Sequence, residues 1–330
     1  MTQEDCIREI KSFLEEKLDP ESADYLARSL FKGAKEAREI TSDFPTWFRE
    51  RFCKHVVWLD EEDYSKALIR ALWLSPRFAG TDFGTSRQRD MGQVWTDTAR
   101  GFLGEIAVSK FLKKNFQVET SLDTSRGSLE DFLPTDIAKV RFPGEDWREP
   151  KVRVSIKTAK FNGRWLDLPG DQLSHSDYFI LVKIGITRHH FIAFLKAISF
   201  LKDKLFLKGK ELGELDEERA KELWKEIPAF NPIPAYISGY LNKAEIELPI
   251  HSLECKISGR RRVKISIVEM VGLYSEENLR NNPKVRLLDP DQKLKISLDP
   301  IGEVTGTHFF ANSGRLKWGL TNWTEFVKKL

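Results

Sequence analysis

The reading of this chain turns on Gly101 to Lys160, through three short pieces: GFLGE at 101–105, PTD at 134–136 and VSIKTAK at 154–160. Val94, Thr98, Gly101, Val108 and Leu112 recur at helical steps, which predicts a helix over 94–113. Glu105 falls on the same face. A carboxylate there points at whatever the helix packs on, so it needs a cation, a hydrogen-bond donor or a water-filled cleft. Gly101 and Gly104 flank it. Each weakens a helix relative to Ala, but each is expected to let the helix approach a sheet closely.

Asp136 follows Pro134 and precedes Ile137, Ala138, Val140 and Phe142, a short extended run that begins just after a proline. Asp136 is therefore expected at a strand entrance. After a loop over 143–150, Val152, Val154 and Ile156 alternate with Arg153, Ser155 and Lys157. This period of two predicts a strand with Ser155 and Lys157 on one face. If these two segments form a hairpin, Asp136 and Lys157 meet at one end while Glu105 approaches from the helix. Two carboxylates and a lysine suit a hard divalent cation such as Mg²⁺, which takes oxygen ligands and needs only one or two carboxylates plus a substrate phosphate. The lysine would orient a bound water or stabilise the phosphate oxygens.

These residues resemble the PD-(D/E)xK nuclease superfamily over roughly 93–200. The resemblance places the helix glutamate at Glu105, the strand aspartate at Asp136 and the lysine of the acidic-x-Lys triplet at Lys157. Ser155 stands where that family usually has Asp or Glu, and Glu105 is the candidate to supply the missing carboxylate. The resemblance implies an α/β, restriction-endonuclease-like core, a mixed sheet flanked by helices, with Glu105 and Asp136 as metal ligands and Mg²⁺ as cofactor, Mn²⁺ substituting. It also associates Gln172 with a helical glutamine near the metal.

The chain has 330 residues, 41% hydrophobic and 31% charged, which indicates a globular protein with one large domain or two to three small ones. No apolar stretch is long enough to span a bilayer and the N-terminus lacks a secretory plan, so a cytoplasmic location is expected, without membrane partners. Cys6, Cys53 and Cys255 are widely spaced, which argues for isolated thiols. Net charge is only +3, but it is uneven. Residues 139–164 carry eight basic against three acidic side chains, a balance that would draw a phosphodiester to the proposed site, with Lys160 expected to contact nucleic acid. A solvated strand face would look the same.

Along the chain, residues 1–75 read as helices, with Ile7, Ile10, Phe13, Leu14 and Leu18 in one stripe and Tyr64, Leu68, Ala71 and Leu72 in another. Breaks are expected at Pro20, Pro45 and Pro76, and Trp47, Phe48, Phe52 and Trp58 read as core. The stretch before the nuclease-like helix loses periodicity, and its Arg87, Gln88 and Arg89 suit phosphates or base edges, or else form an ordinary polar linker. Trp165–Ser176 reads as turns, Tyr178–Ile186 and His190–Leu195 as strands, and Asp216–Ile227 as a helix. His189 and His190, adjacent on a strand, would make poor metal ligands. The three prolines of PAFNPIPAY suggest a domain boundary. Beyond it, Ala244–Leu248, Arg262–Val268 and Lys293–Leu298 read as strands and Trp323–Leu330 as a closing helix. CKISGRRRVK places Arg260, Arg261, Arg262 and Lys264 around a glycine turn that could follow a nucleic-acid backbone or be a plain hairpin.

The expected division is a helical region at 1–90, a nuclease core at 91–200 and a mixed, strand-rich region at 201–330 with a possible role in DNA recognition. The expected activity is a Mg²⁺-dependent endonuclease that hydrolyses phosphodiester bonds of double-stranded DNA, a type II restriction enzyme acting as a homodimer. The alternatives are a junction- or flap-specific repair nuclease and a DNA-binding protein that keeps the fold without cleavage.

Overall fold

Ile7, Ile10 and Leu14 share one face of an amphipathic run, and helix α1 (Gln3–Glu15) forms there and buries all three. The computed structural model describes residues 1–41, 43–78, 90–123, 135–169, 172–246, 252–257, 263–269, 271–274, 280–281, 283, 285–287, 294–298, 302–304 and 307–330. A capping box starts α1: Thr2 Oγ1 accepts from the Asp5 amide at 3.2 Å and the Asp5 carboxylate accepts from the Thr2 amide at 2.9 Å. The box satisfies amides that no helical carbonyl reaches. Helix α2 (Pro20–Glu36) uses Asp19 as its cap and a proline in its first turn, where the missing N–H costs nothing. A short turn α3 (Phe44–Thr46) leads into a π-helical turn, Trp47–Cys53. Trp47, Phe48 and Phe52 are buried against α1 and α2, with Trp58 at the margin, so these aromatics are core.

The remaining elements are β1 (Val56–Leu59), α4 (Glu61–Phe78), α5 (Met91–Phe116), β2 (Glu119–Leu122), β3 (Ile137–Arg141), β4 (Val154–Lys160), β5 (Trp165–Pro169), α6 (Gln172–His175), β6 (Tyr178–Ile184), α7 (His190–Ala197), α8 (Leu207–Glu211), α9 (Glu217–Glu226), β7 (Ile233–Asn242), β8 (Ser252–Ile257), β9 (Val263–Glu269), β10 (Val271–Tyr274), β11 (Leu294–Leu298), β12 (Gly302–Val304), β13 (His308–Asn312) and α10 (Leu320–Val327). The central sheet runs β1-β7-β6-β4, with β4 parallel to β6 and the other pairs antiparallel. It is a mixed sheet flanked by helices, an α/β architecture. On one face Val154, Ile156, Ile180 and Val182 pack with Leu103, Ile106 and Ala107 of α5. On the other, Phe179 and Leu181 meet Leu166 and Leu168 of β5 and Phe309 of β13, strands of a second sheet ordered β10-β13-β5. No described helix is long and apolar enough to cross a membrane. Cys6 and Cys53 are free thiols.

Several expectations are corrected. The N-terminal span is not all helical, because Val56–Leu59 pairs with β7 at the edge of the central sheet. Helix α4 continues past Pro76, and Leu72 lies exposed while Tyr64, Leu68 and Ala71 are buried. Trp165–Pro169 is a strand rather than a turn, held by β13 far along the chain. His190–Leu195 is helical, because His190, Ala193 and Phe194 turn inward at three- and four-residue steps. PAFNPIPAY leads into β7, which pairs with β1 and β6 in the central sheet. Pro234 is tolerated there because the ladder to β6 begins one residue later, at Ala235 opposite Ile184. Residues 243–245 form a 3₁₀ turn where a strand was expected. The strands read at Arg262–Val268 and Lys293–Leu298 are β9 and β11, and the closing helix is α10.

Candidate active site

Asp90 caps α5, its carboxylate accepting from the Gln93 amide at 2.8 Å. About four turns on, Gly104 lies against β4, and a Cβ at that position would fall 2.1 Å from Thr158 Cγ2. Glycine is thus what lets α5 settle on the strand and bring Glu105 to its edge. Gly101 has open space around it and no such part, so only one of the two flanking glycines is needed for close approach.

Asp136 is fixed from the other side. Its amide donates to the Val154 carbonyl at 2.8 Å, its carbonyl accepts from the Asp123 amide at 3.1 Å, and its Oδ2 accepts from the Ile156 amide at 2.5 Å. Thr135 Oγ1 accepts from the Val154 amide at 3.0 Å. The two segments therefore meet only at the entrance of β3. The expected hairpin is absent, since β3 pairs with β2, with Thr120 opposite Val140. The meeting of Asp136 and β4 survives this correction because side-chain and backbone bonds replace the ladder. Lys157, two residues after Ser155, shares its face as the alternation required.

The electrostatics join these groups. Burial pushes the Glu105 carboxyl well above its usual range, the Asp136 charge pushes it further, Arg70 pulls it down, Asp123 raises it and Lys157 lowers it. Burial also raises Asp136, against the Ile156 amide and the Lys157 ammonium, with Asp123 adding and the Ser155 side chain opposing. Burial draws Lys157 below the usual lysine range, while Asp136, Asp167 and Glu105 hold it up. The structure thus brings Glu105, Asp136 and Lys157 together. Like charges share a space that strips their water, a state that a cation relieves. Arg70 of α4 adds a second anomaly: its Nη1 is buried with no hydrogen-bond partner, a condition that costs roughly 1–3 kcal/mol or more for a charged group.

Among the described residues no group of three or more His, Cys, Asp or Glu side chains is arranged to hold an ion unaided. A divalent cation here would take oxygens of Glu105 and Asp136 and complete its shell with water and substrate, which is how Mg²⁺ is commonly bound. The donor set, two hard oxygen ligands that repel each other, fits that ion.

The other candidates are placed differently. Lys160 is exposed at the end of β4, three residues or about 10 Å past Lys157, and it alternates to the opposite face. Arg87, Gln88, Arg89, Arg260, Arg261 and Arg262 lie outside the described residues. Lys264 lies on β9, in register with Lys256 of β8 and Lys295 of β11, and β8 and β9 pair antiparallel. Gln172 opens the four-residue α6 and is exposed. His190 is no ligand: its Nδ1 accepts from the Thr187 amide at 2.8 Å, and burial lowers its pKa to about 4. Three residues went unread: Arg70, Asp123 and Asp167, the last bonded to His308 Nδ1 at 2.7 Å. The only local signal for Arg70 is a basic residue at the margin of the Ala67, Leu68, Ala71 stripe.

Comparison with known proteins found no matching family model, no matching curated protein and no matching solved structure.

Proposed function

We propose that the chain is a Mg²⁺-dependent endonuclease of PD-(D/E)xK type acting on double-stranded DNA. The observation that carries this reading is the pair of half-buried carboxylates, Glu105 and Asp136, the charge of the second raising the pKa of the first, beside the half-buried lysine Lys157. When bound, the cation would acidify a water and offset charge on a phosphodiester. Glu105 and Asp136 would hold it, and the Ile156 amide keeps the Asp136 carboxylate aimed. Lys157, its pKa drawn down by burial, would hold a proton close to the attacking water or the phosphate oxygens. Ser155 assists Asp136 by a side-chain hydrogen bond, which gives this departure from the family pattern a part in the site while Glu105 supplies the second carboxylate.

The finer reading is a type II restriction enzyme acting as a homodimer, because two cuts related by a two-fold axis call for two copies of one site. The test is incubation of linear duplex DNA of plasmid length with and without Mg²⁺ or Mn²⁺, read on a gel. Discrete metal-dependent bands are expected, and their loss in Asp136→Ala ties them to this site. Preference for branched DNA would favour a repair nuclease. Tight binding without cleavage would favour a DNA-binding protein that has lost the chemistry.

A further inference from the structure

The site contains one cation that the carboxylate pair does not use. Arg70 projects from α4, the helix that packs along α5. Its Nη1 is buried and has no acceptor, although it is near enough to Glu105 to act on its charge. An arginine present only to neutralise Glu105 would bond to it, as Lys183 does to Glu39 at 2.6 Å elsewhere in this chain. Here Arg70 acts on Glu105 only through space, and its buried Nη1 has no acceptor. A cation on the carboxylates would leave that donor as it is.

A phosphate does what remains. Guanidinium presents a planar fork of donors that matches two phosphate oxygens. A cation on the carboxylates and a phosphate on the guanidinium would satisfy every charged group at this end of the sheet. Asp123 adds negative charge near Glu105 and Asp136, and Asp167 near Lys157.

We infer that Arg70 is a phosphate-binding residue of this site, gripping a backbone phosphate of the duplex beside the carboxylate pair. The inference rests on the nuclease reading and adds to it a residue that the sequence pattern did not assign.

The test measures equilibrium binding of a short linear duplex to the full chain in an Asp136→Asn background, which keeps substrate intact, over a range of salt concentrations. Each phosphate contact contributes about 0.9 to the slope of log K against log salt. Arg70→Gln is expected to bind roughly ten- to a hundredfold more weakly, with the slope reduced by about one. Arg70→Lys keeps the charge and is expected to keep the slope while losing affinity several-fold. Circular dichroism and thermal melting establish that both variants fold. If Arg70→Gln folds and binds with unchanged affinity and slope, the assignment is overturned while the nuclease reading stands. Should Arg70→Gln fail to fold, an Arg70→Lys slope that falls by one overturns the assignment and an unchanged slope with weaker binding supports it. Absence of both duplex binding and metal-dependent cleavage in the wild-type chain overturns the nuclease reading and the role of Arg70 together.

Discussion

Glu39 is a buried carboxylate and Glu105 a half-buried one, and their pKa values are pushed in opposite directions. Around Glu39, Lys183 Nζ donates at 2.6 Å, the Tyr236 hydroxyl and Ser238 Oγ at 2.9 Å, and Trp47 Nε1 at 3.3 Å. Burial alone would raise its pKa, but Lys183 and then Arg51 more than reverse it and hold the carboxylate far below its usual range. Arg51 meanwhile donates to the carbonyls of Ser238 and Ser313. Lys183 is drawn down by its own burial, while Glu39 at hydrogen-bond distance opposes that shift. This cluster ties the N-terminal helices, β6, β7 and the C-terminal part together. Glu105 has acids for neighbours instead and ends high. Around Glu39 the charge is paired on every side, whereas Glu105 keeps a neighbouring acid that raises its pKa.

The largest expected effect breaks the cluster around Glu39. Glu39→Ala strands Lys183, Tyr236, Ser238 and Trp47 without their acceptor, and removal of one partner from a buried pair costs about 3–5 kcal/mol. Urea denaturation should show that loss. Specific activity per folded molecule should hold, because Glu39 has no contact with the site.

A smaller effect separates the two glycines before Glu105. Gly104→Ala forces a methyl into Thr158 and should cost about 1–3 kcal/mol of stability by overpacking, with cleavage lost as Glu105 shifts. Gly101→Ala meets nothing within 4 Å and should stabilise by up to about 1 kcal/mol as a helix residue. Thermal melts and cleavage rates of the two variants check this, and equal behaviour would break the assigned role of Gly104.

The existence of β4 was legible because 152–157 alternates, although the strand itself runs Val154–Lys160, and α9 was legible because Asp216 caps it, accepting from the Arg219 amide at 2.8 Å. Glu105, Asp136 and Lys157 could be named because each lies at a recognisable point of a local pattern: a helix face, a strand entrance, an alternating strand. Elements held by distant partners were not legible. The strand β1 is four residues long and is made a strand by β7, and β5 is made one by β13. The run HFIAFLKA is apolar enough to suit either period, and its helix is decided by Phe194 reaching the main core. Pairing of β3 with β2 instead of β4 is likewise a choice between two neighbours that no local signal records. Arg70, Asp123 and Asp167 matter only through space, from three separate elements, so their share in the site has no sequence spacing to betray it.

The pH dependence sharpens the contrast at the small end. Glu105 and Asp136 have folded pKa values raised above their unfolded ones, near 4, so the stability they contribute is complete below about pH 4 and is lost as pH rises through the folded values. Glu39 has the reverse sign: its contribution is present above its unfolded pKa and is lost as pH falls toward the folded one. In chelator, the stability advantage of Glu105→Gln over wild type should therefore grow from pH 4 upward. The disadvantage of Glu39→Gln should shrink toward strong acid. Denaturation midpoints across pH, compared as differences from wild type, read both trends.

In the proposed function, Glu105 and Asp136 repel one another until a divalent cation joins them. The most direct measurement of this is the melting temperature of wild type and Glu105→Gln, each in chelator and in Mg²⁺. The account predicts that in chelator Glu105→Gln melts above wild type, because a repelled buried charge is gone, and that Mg²⁺ raises the wild-type melt but leaves the variant where it was. A variant that melts below wild type in chelator and shows the same Mg²⁺ shift as wild type would contradict it.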